Sequence, residues 1–379
     1  MSVWITRRAD GPRGRRLAVK DLFDTAGVRT TYGSKVFENH VPRATAEAVQ
    51  LLEADGWQSV GKTNLQEFAY GITSQNPHYG DVPNPRFPDR VAGGSSGGSA
   101  AAIVTEEADL GLGTDSGGSI RIPAACCEVV GFKPSSGVVP MDGCFPLAPS
   151  FDHAGPIAAD TATCAAAIRA LAGIEPEALG DLADLRVGLV WTEYADPDVR
   201  LGVEKAAAVL PRVERLALPL PEGVFPAFQH EVAGVHRELF GRCSGLYGPN
   251  VRAKVAACLD VSEREAVSSN VARERYRVEF ARALRGFDLA VAPTLPVVPP
   301  RHDVDELDVR VEMTRLTFPL NAVGAPALAL PCGRTPDGLP VSAQLFSRPG
   351  ADALVLAAGA LFESALRHTA LPEREPQED

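Results

Sequence analysis

Two glycine-serine loops constrain this chain more than any other feature. Residues 93–121 read GGSSGGSAAAIVTEEADLGLGTDSGGSIR, in which a predicted small-residue helix and a short strand separate the loops. Glycine has no Cβ, so such loops adopt positive φ angles and can point successive backbone N–H groups into an anion-binding concavity. Ser95 and Ser119 lie inside the loops, and a hydroxyl group beside such donors is what nucleophilic acyl transfer requires. The alternative interpretation is a pair of flexible, serine-rich surface loops.

Composition limits the class of protein and its partners. The 379 residues are 45% hydrophobic, enough for a large core, and their formal net charge is -11. This charge argues against nucleic acid or an anionic membrane as a partner, because both need a basic face. No run reaches the roughly 18 apolar residues of a membrane span, and the first residues contain no apolar signal core. Seven cysteines without a CxxC pair indicate neither a disulfide framework nor a zinc site, so we expect a cytoplasmic protein without metal or cofactor.

The order of the predicted elements indicates an α/β fold. The strand LAV, the helix TAEAVQLLEADG and the strand WQSVGKT begin an alternation that continues through both loops, and NAVGAPALALPCG and GLPVSAQLFS read as later strands. This alternation predicts a central mixed, mostly parallel twisted sheet covered by helices on both faces. We expect a single domain over residues 1–371 and a disordered tail at 372–379. The predicted parts of the domain are a core at about 14–173, a helical covering region at about 197–285, and C-terminal strands with a helix at 287–368.

Three short motifs match known patterns in the wrong context. Residues 56–63, GWQSVGKT, fit the phosphate-loop pattern, but the first glycine ends a predicted helix and the following residues suit a strand. Ser59 and Lys62 form an SxxK pair without the KTG or SDN triplet of penicillin-binding enzymes. GGSSG at 93–97 fits the nucleophile elbow GxSxG, but prolines stand where an elbow needs a strand. We expect none of these motifs to carry the function, and we interpret His153 as a loop or core residue rather than a catalytic base.

Several longer segments together resemble the amidase signature hydrolases. The resemblance covers most of the chain and rests on LAVKDLFDTAG, GKTNLQEFAYG, GGSSGGSAAAIV, LGTDSGGSIRIPAACCEVVGFKPS, NAVGAPALALPCG and DGLPVSAQ. It implies the fold of that family and the hydrolysis of linear amide C–N bonds. The family's catalytic lysine falls on Lys20, its central serine on Ser95 and its nucleophile on Ser119. The resemblance also implies a cis peptide bond between Gly94 and Ser95.

The chemistry of these three residues is coherent without the family name. A serine hydroxyl is a weak nucleophile until a base takes its proton, and no histidine lies near either loop in the sequence. Burial lowers the pKa of a lysine, so Lys20 at a strand end can act as the base in its neutral form. We predict that Ser119 attacks the amide carbonyl and that Ser95 relays the proton to Lys20 and back to the leaving amine. The predicted oxyanion donors are the backbone N–H groups of Ser116, Gly117, Gly118 and Ser119.

Further residues have predicted supporting roles. Asp115 and Arg121 are expected to pair and to brace the loop of the nucleophile, and Ser96 is expected to support Ser95. A second set falls where members of the resembled family line the acyl pocket, although a plain packing role explains these residues equally well. The set consists of Tyr70, Gly71 and Ile72.

The chain departs from the pattern of the resembled family in two places. It reaches the VKD motif by residue 21, so the helical segment that usually precedes this motif is missing, which can alter dimerisation; a homodimer is one expectation. Ser342 and Ala343 stand where members commonly carry glycine, which can reshape a pocket wall.

Two functions therefore stay open. The favoured one is a free-standing amidohydrolase acting on a small primary, aryl or carbamoyl-type amide. The alternative is a glutaminase-type A subunit of a tRNA-dependent amidotransferase complex. A catalytically dead binding protein is disfavoured because all three catalytic positions retain their chemistry.

Overall fold

One large sheet organises the chain. The computed structural model describes residues 1–8 and 14–369. The strands are β1 (Trp4–Arg7), β2 (Arg15–Lys20), β3 (Trp57–Thr63), β4 (Leu110–Thr114), β5 (Val130–Lys133), β6 (Ala154–Ala158), β7 (Val187–Leu189), β8 (Val213–Arg215), β9 (Leu289–Pro293), β10 (Ala327–Arg334) and β11 (Pro340–Phe346). They form one sheet in the order β1-β3-β2-β4-β6-β5-β10-β11-β9-β7-β8.

Eleven α-helices accompany this sheet in the described residues. They are α1 (Glu47–Ala54), α2 (Gly97–Val104), α3 (Arg121–Cys127), α4 (Thr161–Ala172), α5 (Pro197–Ala207), α6 (Phe225–Cys243), α7 (Pro249–Leu259), α8 (Glu263–Ala283), α9 (Glu306–Thr314), α10 (Phe318–Val323) and α11 (Asp352–Thr369). Both faces of the sheet are covered, as the alternation of side chains along β2 illustrates. Leu17 and Val19 pack in a cluster with α1, α4, α5 and α11, whereas Ala18 packs with α2 and α3 on the opposite face.

The pairing of the strands corrects one part of the prediction. The α/β fold with a mixed sheet flanked by helices is confirmed, but the expectation of a mostly parallel sheet is wrong, since six of the ten strand pairings are antiparallel. The reason lies in the centre of the sheet. There β6 runs antiparallel between β4 and β5, and β10 and β11 form an antiparallel hairpin.

One helix and one short strand differ from the predicted pattern. Residues 321–323, interpreted as the start of a strand, end α10 instead. Pro319 stands in the first turn of this helix, where proline is tolerated, and Gly324 at φ 73° ends it. The predicted covering region at 197–285 contains four helices, α5 to α8, and also the short strand β8.

The phosphate-loop motif forms an ordinary strand. Residues 57–63 of GWQSVGKT form β3, so this segment is not a loop that could surround the phosphates of a nucleotide. The Lys62 ammonium group is buried, donates to the Phe23 carbonyl O at 2.6 Å and to Thr30 Oγ1 at 2.7 Å, and pairs with Asp21 at 3.1 Å. It therefore fixes the loop that follows β2.

Further predictions concern membrane spans, the C-terminal tail and the domain boundaries. Within residues 1–8 and 14–369, no helix has the length and apolar character needed to cross a membrane. The predicted disordered tail at 372–379 lies outside the described residues, and the domain boundaries stay a prediction.

Candidate active site

The two glycine-serine loops meet at one edge of the sheet. Strands β2 and β4 are parallel neighbours, so their carboxyl ends, Lys20 and Thr114, lie side by side. The first loop leads into α2 and the second leads from β4 into α3. The Ser96 N–H donates to the Ser119 carbonyl O at 3.2 Å, which ties the two loops together.

Lys20 lies beneath three hydroxyl groups. Its Nζ donates to Ser95 Oγ at 2.7 Å, to Ser96 Oγ at 2.9 Å and to Thr114 Oγ1 at 2.7 Å. The side chain is fully buried and forms no ion pair in the described part of the chain. Burial lowers the pKa of Lys20 to about 7, although more distant acidic groups act in the opposite direction. A lysine with this pKa can exchange a proton near neutral pH.

A neutral Lys20 requires one of these bonds to reverse. An ammonium group donates three hydrogen bonds, whereas a neutral amine has two N–H donors and one lone pair. Ser96 Oγ donates its own proton to the Thr114 carbonyl O at 3.2 Å, so it can keep accepting from Lys20. Lys20 is the only hydrogen-bond partner of the Ser95 hydroxyl in the described ranges. The proton of Ser95 is therefore available to the Lys20 amine.

Backbone contacts fix the position of Ser95. The Gly94–Ser95 peptide bond is cis, as the resemblance implies. The Ser95 carbonyl O accepts from the Gln66 N–H at 3.2 Å and from Ser74 Oγ at 3.3 Å. A Cβ at residue 94 would lie 2.8 Å from the Ser74 backbone N, so only glycine fits there.

Ser119 faces a cavity rather than the hydroxyl group of Ser95. Its side chain lines the cavity and is 6% exposed. Its Oγ makes no hydrogen bond to any described residue, so the predicted contact between the Ser119 and Ser95 hydroxyl groups is not formed in this structure. A proton relay between these two serines therefore requires the Ser119 hydroxyl to turn towards Ser95.

The predicted set of oxyanion donors needs one correction. The Gly118 N–H donates to Asp115 Oδ1 at 2.7 Å, so it is not available to a substrate. Gly118 has φ +133°, and a Cβ there would lie 2.4 Å from Thr317 Oγ1, so glycine is required to shape this turn. The other three predicted donors have backbone N–H groups without an acceptor among the described residues, and all three line the cavity. They are Ser116, Gly117 and Ser119.

Asp115 and Arg121 form a buried pair behind this turn. Arg121 Nε and Nη2 each lie 3.0 Å from an Asp115 carboxylate oxygen, and both side chains are fully buried. Burial alone would raise the pKa of Asp115, but the charge and hydrogen bonds of Arg121 hold it well below its usual range. The ionised carboxylate also accepts the N–H groups of Gly118 and Ile120, so it braces the loop of Ser119.

Residues from the C-terminal part of the chain complete this brace, and the sequence did not indicate them. Arg121 donates to Asn321 Oδ1 at 2.8 Å, to Gln344 Oε1 at 3.0 Å and to the Thr317 carbonyl O at 3.0 Å. Asn321 and Gln344 stand in the quoted segments NAVGAP and VSAQ, but nothing local in the sequence indicates that they meet Arg121. Thr114, the third hydroxyl group on Lys20, was also missed.

His153 has the surroundings of a core residue. The His153 Nδ1–H donates a hydrogen bond to the Phe151 carbonyl O at 2.8 Å. Burial lowers the pKa of the imidazole to about 3. It makes no hydrogen bond to either candidate serine in the described part of the chain. The neighbouring Asp152 carboxylate accepts a hydrogen bond from the Ser116 hydroxyl group and so positions the start of the turn that carries Ser119.

The cavity beside Ser119 has a volume of about 440 Å³ and a mainly apolar wall. Its wall includes the three residues of the predicted acyl pocket, Tyr70, Gly71 and Ile72. Helix α6 contributes Phe225 and Phe228, α10 contributes Phe318, and α9 contributes Arg310. A cavity of this size can accommodate a small organic molecule.

Comparison with known proteins identifies the family. A model of the Amidase family matches residues 14–218 and 253–356, and this chain belongs to that family, the amidase signature enzymes. The chain is accordingly an amidase, a hydrolase of amide C–N bonds.

Individual relatives differ in their named activities. The chain is 33% identical to the A subunit of the glutamyl-tRNA(Gln) amidotransferase of Roseiflexus castenholzii, over 97% of this chain and 86% of the relative. It is 34% identical to the AtzE subunit of the 1-carboxybiuret hydrolase of Pseudomonas sp. strain ADP, over 92% of this chain and 83% of the relative. The crystal structure of an amidase superposes with a TM-score of 0.85 at 35% identity, covering 93% of this chain and 86% of that one.

Proposed function

We propose that this chain is a free-standing amidohydrolase that cleaves a small primary, aryl or carbamoyl-type amide through an acyl-enzyme on Ser119. The observation that carries the proposal is the environment of Lys20. Its amine is buried without a carboxylate partner, has a pKa near 7, and contacts Ser95 directly behind the loop of Ser119. The contact with Ser95 distinguishes Lys20 from the other buried lysines, since Lys62 and Lys254 pair with carboxylates and the Lys133 Nζ donates to the Pro134 carbonyl O.

The first half of the reaction forms the acyl-enzyme. The Ser119 hydroxyl turns towards Ser95 and passes its proton to Ser95 Oγ, while Ser95 passes its own proton to the neutral Lys20 amine. Ser119 Oγ bonds to the amide carbon, and the carbonyl electron pair moves onto the oxygen. The free N–H groups of Ser116, Gly117 and Ser119 stabilise this oxyanion.

The second half releases both products. The C–N bond breaks as Lys20 returns a proton through Ser95 to the leaving nitrogen, so that ammonia or an amine departs. Water then attacks the acyl-enzyme and loses its proton through the same relay. The ester bond to Ser119 breaks, Ser119 recovers its proton, and the acid leaves.

The activity should rise with pH across the titration of Lys20. Only the neutral amine has the lone pair that accepts the proton, so protonation below its pKa of about 7 removes the base. We expect kcat/KM to fall about tenfold per pH unit below this value and to level off above it. A pH profile of amide hydrolysis measures this limb, and a profile that is flat from pH 6 to 8, about one unit on either side of the pKa, would contradict the assignment of Lys20 as the base.

A second candidate function is suggested by the relatives. Several of them are named as amidotransferase subunits, which favours a glutaminase-type A subunit that works with partner chains.

The homodimer also remains an expectation, which the size of the purified protein in solution tests.

Ammonia release by the purified chain alone tests the choice between these functions. The substrates are a panel of small amides that includes glutamine, and the Ser119→Ala variant is the control. Turnover of simple amides that the variant loses supports the free-standing amidohydrolase. Turnover of glutamine alone, or of no amide until partner subunits are added, moves the amidotransferase function to first place.

A further inference from the structure

Arg310 places a guanidinium group in the wall of the cavity beside Ser119. Its Cζ lies 5.3 Å from the centre of the Tyr70 ring and 5.7 Å from the centre of the Phe225 ring, and both rings also line the cavity. Contacts of this kind hold the side chain in place without neutralising its charge. Arg310 is thus a fixed cation in a mainly apolar wall.

The acid nearest to Arg310 is shared with a second cation. Glu306 lies one helical turn earlier in α9, with its Oε1 4.0 Å from Arg310 Nε, at the outer limit of an ion pair. The other oxygen of this buried carboxylate accepts from Lys254 Nζ at 2.6 Å. Burial lowers the pKa of Lys254 only to about 8, so this lysine is still mostly charged at neutral pH. Glu306 cannot neutralise both cations, and Arg310 is the more distant of the two, so the charge of Arg310 is left largely unmatched.

The other groups in the cavity wall do not compensate this charge. Arg315 also lines the cavity, but its guanidinium is paired with Glu312 at 2.7 Å. No aspartate or glutamate lines the cavity in the described part of the chain. An anion that enters the cavity therefore meets Arg310 in a site where a guanidinium–carboxylate contact is stronger than in water.

We propose that Arg310 selects amides whose acyl portion ends in a carboxylate. The scissile amide then lies at Ser119, the apolar part of the acyl group lies against Phe225 and its neighbouring rings, and the carboxylate binds the Arg310 guanidinium. The substrate class is a monoamide of a dicarboxylic acid. This inference rests on the proposed function, because it needs the amide to be seated at Ser119.

Matched pairs of amides test this selection. The charged probes are the monoamides of linear dicarboxylic acids from malonamate to adipamate, together with 4-carbamoylbenzoate. Each is compared with a neutral analogue in which a methyl ketone replaces the carboxylate. For the best pair, we expect kcat/KM of the wild-type enzyme to favour the charged probe by about tenfold or more.

Variants of Arg310 assign this preference to its side chain. In Arg310→Gln the selectivity ratio, kcat/KM of the charged probe divided by that of the neutral one, should fall roughly tenfold to a hundredfold. Arg310→Lys keeps the charge but not the planar fork and should retain part of the ratio, which also guards against a folding defect in the first variant. Arg242→Gln, which removes an exposed arginine of α6 paired with Glu238, should leave the ratio unchanged.

The outcomes separate this inference from the proposed function. Hydrolysis of both members of every pair without preference, or a ratio that Arg310→Gln does not change, overturns the selection and leaves the amidohydrolase standing. Calorimetric titration of the Ser119→Ala protein covers the case without turnover. Tighter binding of the charged probes that is lost in Arg310→Gln then supports the selection while the proposed function fails. Equal or absent binding of both probes overturns both.

Discussion

Replacing Ser119 by alanine should lower kcat/KM for amide hydrolysis by roughly 10⁴-fold or more, because the variant lacks the oxygen that forms the acyl-enzyme. Its stability should change by less than about 0.5 kcal/mol, since the Ser119 hydroxyl makes no hydrogen bond to the described residues. Ammonia release measures the first effect, and urea unfolding measures the second. Loss of activity with unchanged stability assigns a chemical role to this hydroxyl.

A double variant tests whether Ser119 works as a unit with the relay. If Lys20 and Ser95 serve only to activate Ser119, then Lys20→Met combined with Ser119→Ala should be no less active than Ser119→Ala alone. Multiplicative losses would show that Lys20 contributes independently of the nucleophile. Activity within tenfold of the wild type in Ser119→Ala would contradict the assignment of the nucleophile itself.

Replacing Asp115 by asparagine should lower the free energy of unfolding by about 3–5 kcal/mol. The substitution preserves the shape of the side chain but leaves the fully buried Arg121 guanidinium without its countercharge. It also weakens the acceptor for the Gly118 N–H, so the loop of Ser119 should lose its fixed shape and activity should fall as well. The midpoint and slope of urea unfolding measure the effect.

Asp109→Asn is the matched control for this substitution. Asp109 pairs with Arg16 through several hydrogen bonds, but both side chains are partly exposed, with side-chain exposures of 41% and 35%. Water screens such a pair, so its loss should cost less than about 1 kcal/mol. Equal costs for the two substitutions would show that the buried pair does not brace the site.

The sequence was sufficient to place Lys20 beside the two glycine-serine loops, and the fold explains why. Lys20 ends β2, and the loop of Ser119 follows the end of β4. Parallel neighbouring strands bring their carboxyl ends together, so residues that follow them in the sequence also meet in space. The glycines of both loops indicated tight turns, and the resemblance supplied the proposed role of each side chain.

The parts that the sequence did not predict depend on contacts between distant segments. The Gly118 N–H was predicted to bind an oxyanion, but the Asp115 carboxylate three residues earlier accepts it, because Arg121 and the distant Asn321 hold that carboxylate in place. Asn321 reaches the same pair from α10. Arg310 reaches the cavity from a helix that the periodicity did not indicate. The direction of β6 depends in the same way on its partners and not on its own residues.

Partition of the acyl group between water and hydroxylamine tests the central claim most directly. Two amides and an ester that share one acyl group but differ in the leaving group are hydrolysed by the purified chain in the presence of hydroxylamine. If all three pass through the same acyl-enzyme on Ser119, the ratio of hydroxamate to acid is identical for each, and Ser119→Ala forms neither product. A ratio that changes with the leaving group, or hydroxamate formation by Ser119→Ala, would contradict the acyl-enzyme mechanism.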